Sequence, residues 1–99
     1  MGYRISHDGT ESTLSATQIM ELGVEVKRAA SFTTWVTLRP LFSPRRDGYE
    51  EIPPARAVKY GKALLKVAGS LPRGWDRIAR RIGESAVRAS DANELWVWS

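Results

Sequence analysis

The chain has 99 residues, with 15 Lys plus Arg against 11 Asp plus Glu, one histidine and no cysteine. That length suits one domain with one core, and the missing cysteines exclude a disulfide framework, a Cys-based zinc site and thiol chemistry. The 42% apolar fraction is ordinary globular composition, no stretch approaches the ~20 apolar residues of a membrane span, and residues 1–7 lack an apolar signal core, so a cytoplasmic location is the expectation.

In chain order, residues 2–7 read as a short strand, with Tyr3 and Ile5 on one face and Arg4 and Ser6 on the other. His7-Asp8-Gly9 follows as a turn, and residues 11–13 are polar enough to read as loop. A first helix is predicted from Ser15, whose hydroxyl can cap free amides, to Ala30. Its core stripe is Ile19, Leu22, Val26 and Ala30; Gly23 signals close packing, and Val24 falls on the polar side without explanation. Residues 32–38 alternate as a strand rich in threonine and aromatics, which Pro40 should end. Residues 43–48 are a loop, and residues 49–52 a brief edge strand.

Pro53 or Pro54 suits the first turn of a second helix that extends to Ala68, with Gly69 and Pro72 as its stop. Its apolar face holds Ala57, Val58, Gly61, Leu64, Leu65 and Ala68. A third helix over residues 74–90 buries Trp75, Ile78, Ile82, Ala86 and Ala89 at spacings of three and four. Residues 93–98 close the chain as a strand with Trp96 and Trp98 on one side. The expected fold is a single helix-rich α+β domain over residues 1–99. About three helices pack on a small sheet of three or four short strands, in the order β-α-β-(β)-α-α-β.

Charge is unevenly distributed. Residues 1–50 sum to zero, whereas residues 54–90 carry nine basic side chains against Asp76 and Glu84. Lys59, Lys62 and Lys66 form a row on the outer side of the second helix, and Arg77, Arg80, Arg81 and Arg88 lie on the outer half of the third. Helices joined by a short turn are neighbours, so the two rows are expected to make one basic surface able to engage a polyanion, nucleic acid foremost, by releasing counterions from phosphates. The bland alternative is that these are the solvated sides of amphipathic helices, supplied with arginine by a GC-rich genome. Residues 78–87 also admit a helix-turn-helix reading, but the apolar stripe continues through Gly83 without a phase break, and one unbroken helix fits better.

Little supports catalysis. His7 is the only imidazole, and its neighbours Ser6 and Asp8 point in different directions along a strand or turn. One histidine and scattered carboxylates do not make a metal site, and no glycine-rich phosphate loop is present. Gly2 followed by Ser6 formally matches an N-myristoylation pattern, against which bulky Tyr3 argues. No cofactor is expected. Trp96 and Trp98 either cover the sheet or, if exposed, form an interface hot spot. The alternative function is therefore a small regulator or inhibitor that binds an acidic protein through the basic face, or a partner through the tryptophan strand. Short edge strands would also allow a homodimer.

The opening Gly2-Tyr3-Arg4-Ile5-Ser6-His7, the closing Trp96-Val97-Trp98-Ser99 and Ile52-Pro53-Pro54-Ala55 at a helix start are similar to short uncharacterised actinobacterial proteins. The resemblance implies a GC-rich bacterial or phage origin. It carries no activity and no site residue.

Overall fold

A computed structural model describes residues 2–7, 10–42 and 50–98. The elements are β1 (Gly2–His7), β2 (Thr10–Ser15), α1 (Ala16–Ala29), α2 (Phe32–Phe42), β3 (Glu50–Ile52), α3 (Pro54–Ala68), α4 (Trp75–Asp91) and β4 (Trp96–Trp98). The α+β class holds: the described residues form four helices, where about three were expected, and one antiparallel sheet in the order β2-β1-β4-β3. The turn expected at residues 8–9 and the loop at residues 43–48 lie outside the described residues.

Two expectations fail. The polar stretch expected as loop belongs to β2, which pairs with β1 from Gly2↔Ser15 to His7↔Thr10. Its sequence, TESTLS, offers one apolar residue, Leu14, because the strand lies at the sheet edge. The segment expected as a strand at residues 32–38 is helix α2. Ser31 explains this locally. Its hydroxyl accepts from the Thr34 N–H and its carbonyl from the Trp35 N–H at 2.9 Å, so the chain enters a helix at Phe32. Thr34, Leu38 and Leu41 are the buried residues, at i, i+4 and i+7. Trp35 stacks on Phe42 at 6.4 Å, also a helical spacing. Pro40 sits within the last turn of this helix and does not stop it.

The other boundaries follow their local chemistry. Ser15 caps α1 in a reciprocal box: its hydroxyl accepts from the Gln18 N–H, and the Gln18 side chain accepts from the Ser15 N–H. Pro54 opens α3 at its first position. At the end of α4, Asn93 takes a φ of 56°, and the N–H groups of Asn93 and Glu94 bond back to Ser90 and Ala89, both at 2.9 Å. This left-handed stop turns the chain directly into β4.

The core lies between the sheet and the helices. Register puts Ile5 opposite Trp98, and Ile52 opposite Trp96, and all four are buried. Leu14 joins them from β2, and Leu22, Val26, Leu38, Leu64 and Ile82 meet them from the helices. Gly23 packs against Phe42, where an added Cβ would lie 3.2 Å from the ring, as close packing predicts. Val24 is exposed, which accounts for its place on the polar side of α1.

Helices α3 and α4 form an antiparallel hairpin with an unusually close crossing. A Cβ on Gly61 would lie 2.9 Å from the Gly83 carbonyl oxygen, and one on Gly83 would lie 3.1 Å from the Gly61 oxygen. Helix α4 runs unbroken through Gly83, so the helix-turn-helix alternative is discarded. Its buried residues are Ala79, Ile82, Gly83, Ser85, Ala86 and Ala89, while Trp75 and Ile78 are only half-buried. No helix among the described residues is long and apolar enough to cross a membrane.

Candidate polyanion-binding face

The basic side chains of the α3–α4 hairpin fall on its solvent side because the two glycine-bearing faces are consumed by the crossing and the core. Lys59, Lys62 and Lys66 are all exposed, and at 3.6 residues per turn they span about 60° of the α3 surface. Arg77, Arg80, Arg81 and Arg88 are exposed on α4. Among the described residues, none of these seven takes part in an ion pair.

The rows border different concavities. Arg77, Arg80 and Arg81 join Arg73 around a depression of about 420 Å³ at the start of α4, which Asp76 and Glu84 also line. The Asp76 carboxylate is directed to the helix start, accepting from the N–H groups of Gly74 at 3.0 Å and Arg77 at 2.8 Å. Arg88 lines neither concavity. The lysine row forms one wall of a groove of about 340 Å³ whose other wall is α2, through Thr33, Thr34 and Thr37. That second wall is absent from the sequence reading, because a strand at residues 32–38 cannot present those three threonines together.

One basic residue of α3 is committed elsewhere. Arg56 donates to the Tyr60 hydroxyl at 2.8 Å, its guanidinium lies 5.6 Å from the same ring, and Glu50 of β3 stands 3.7 Å away. The Tyr60 hydroxyl bond, aided by Glu50, raises the Arg56 pKa above its ordinary value, and the Glu50 contact links β3 to α3.

Trp96 and Trp98 are corrected as interface candidates. Both are 0% exposed, and their rings meet edge to face at 5.4 Å and 87°. The Trp96 indole N–H donates to the Ser85 hydroxyl at 3.1 Å inside the core. They are the largest fully buried side chains, and a hot spot needs surface they do not have. No group of three or more His, Asp or Glu able to hold a metal occurs among the described residues. His7 ends β1.

A comparison with curated proteins finds no match, and neither does a comparison with solved structures. A family model does match, over residues 6–99, which takes in every element from the end of β1 to β4. The chain therefore belongs to the family described as domain of unknown function DUF7739.

Proposed function

We propose that this domain is a non-enzymatic binding module whose α3–α4 hairpin engages a polyanion, nucleic acid in the first place. The observation that carries the reading is the state of the cations: seven exposed Lys and Arg side chains on two adjoining helices, none in an ion pair among the described residues. A merely solvated helix face in a chain with 11 acidic residues has carboxylates to interleave, as Glu25 and Arg28 do on α1 at 3.5 Å. On the hairpin the acids are sparse, and an exposed unpaired cation gains by displacing the counterions of a phosphate chain. Backbone phosphates are the natural targets, since exposed lysines and arginines on helix flanks position a nucleic acid without reading its sequence.

Retention on a nucleic-acid column tests this. The parent should bind at low salt and carry a raised 260/280 nm absorbance ratio from the cell, and six phosphate contacts would give log K a slope of about −5 against log salt. Reversal of Lys62, Arg77 and Arg81 to glutamate should abolish retention with the helical circular dichroism unchanged. Unchanged retention, or a salt-tolerant stoichiometric protein partner in place of nucleic acid, overturns the proposal.

A further inference from the structure

We infer that the groove between α2 and α3 is where a nucleic-acid phosphate is seated, with the Thr34 hydroxyl as its fixed donor and the lysine row as its charge. The inference rests on the polyanion reading and assigns it a place and a chemistry. Three observations favour this groove over the arginine depression.

The first is its lining. The groove of about 340 Å³ continues into a second of about 220 Å³, since Thr34 and Lys66 border both. The second part adds Ser31 and Ser70, so the combined trough offers hydroxyls and ammonium groups and has no carboxylate in its lining. The arginine depression, in contrast, contains Asp76 and Glu84, which offset the charge of two of its four arginines.

The second is the hydrogen inventory. Thr37 spends its hydroxyl hydrogen on the Thr33 carbonyl at 3.1 Å. Ser31 donates its own to Thr34 at 3.0 Å, which leaves Thr33 as the donor in the 3.3 Å Ser31–Thr33 contact. A hydroxyl has one hydrogen and two acceptor sites. Thr34 therefore accepts from Ser31 and retains its own hydrogen, for which no acceptor is found among the described residues. Thr34 is 9% exposed and lines both parts of the trough, so this nearly buried side chain contributes a hydroxyl to its wall.

The third is length. Lys59 and Lys66 are seven residues apart, about 10 Å of helix rise. A duplex strand advances about 3.4 Å along its axis per phosphate and runs obliquely to that axis, so neighbouring phosphates are farther apart than this rise and the row is long enough for more than one of them. A single backbone strand laid along the trough meets Thr34 from one side and the ammonium groups from the other.

Fluorescence anisotropy with a labelled duplex and the matching single strand, over a salt series, separates the contributions. A neutral hydroxyl displaces no counterion, so Thr34→Val should weaken binding about tenfold, as a hydrogen bond to a charged group is worth, with the salt slope unchanged. Thr34→Ser, which keeps the hydroxyl, should bind as the parent does. Lys62→Gln with Lys66→Gln, a surface change that does not depend on tolerance of the Thr34 variant, should reduce the slope by about 2. If these variants bind as tightly as the parent while Arg77→Gln with Arg81→Gln loses binding, the trough is not the seat and the polyanion reading stands. If the parent binds neither nucleic acid at low salt, both fail.

Discussion

The α3–α4 crossing fixes how the lysine and arginine rows sit relative to each other, and one methyl group tests it. In Gly61→Ala the new Cβ would stand 2.9 Å from the Gly83 carbonyl oxygen and from Val87 Cγ2, and 3.1 Å from Ala86 Cβ. The Val87 methyl can rotate away, but the carbonyl belongs to a helix backbone and moves only if α4 moves. Overpacking of this kind costs about 1–3 kcal/mol. Alanine returns about 1 kcal/mol of helix propensity, so the net loss is about 1–2 kcal/mol, because the backbone contact puts the steric cost at the upper part of its range. For a domain of this size that lowers Tm by roughly 5–15 °C. Gly69→Ala is the internal control: Gly69 has a φ of −64° and nothing within 4 Å of the added Cβ. It should gain about 0.5–1 kcal/mol from reduced freedom of the unfolded chain. Thermal unfolding followed by far-ultraviolet circular dichroism reads both variants. A Gly61→Ala protein that melts at or above the parent temperature would refute the close crossing, and with it the placement of the two rows.

Two further substitutions probe the local chemistry. Ser85→Ala takes the acceptor from the buried Trp96 indole N–H and should cost about 1–3 kcal/mol, seen as a lower urea midpoint at constant m; an unchanged midpoint would mean the hydrogen bond does not form. Ser15→Ala removes one half of the α1 capping box and should cost about 1 kcal/mol in the same titration, with Ser15→Gly milder; equal losses for the two would argue against capping.

Most of the fold was legible because periodicity and punctuation agree. α1, α3 and α4 each combine an apolar stripe at spacings of three and four with an identifiable start: Ser15, Pro54 and Gly74. The second half of the strand expected at residues 93–98 was legible from alternation, and the burial of both β4 tryptophans with Val97 half-buried follows it; residues 93–95 instead end α4 and lead into the strand. β2 was not legible. A strand whose sequence, TESTLS, has Leu14 as its one apolar residue offers no second from which a period could be read. What holds it is the six-residue register with β1, a tertiary fact.

The misreading of residues 32–38 shows what a period-two pattern can conceal, and it bears directly on the site. Phe32, Thr34, Val36 and Leu38 alternate with Thr33, Trp35 and Thr37, and β-branched and aromatic residues favour strands. Two of the apolar members of that alternation, however, do not enter the core: Phe32 is 81% exposed and Val36 43%. The residues that do enter, Thr34, Leu38 and Leu41, continue past Pro40, so the helical period is visible only in a window that crosses the proline. Ser31 then supplies the cap that tips the segment to a helix. The lysine row was readable from the α3 wheel, but its functional meaning depends on what stands across from it. A strand would send Thr34 to the face opposite Thr33 and Thr37, whereas a helix gathers positions i, i+1 and i+4 within about 100° of arc. Only the second geometry gives the lysines a hydroxyl-lined wall to face, and only there does the uncommitted hydrogen of Thr34 lie within the same trough as their charge.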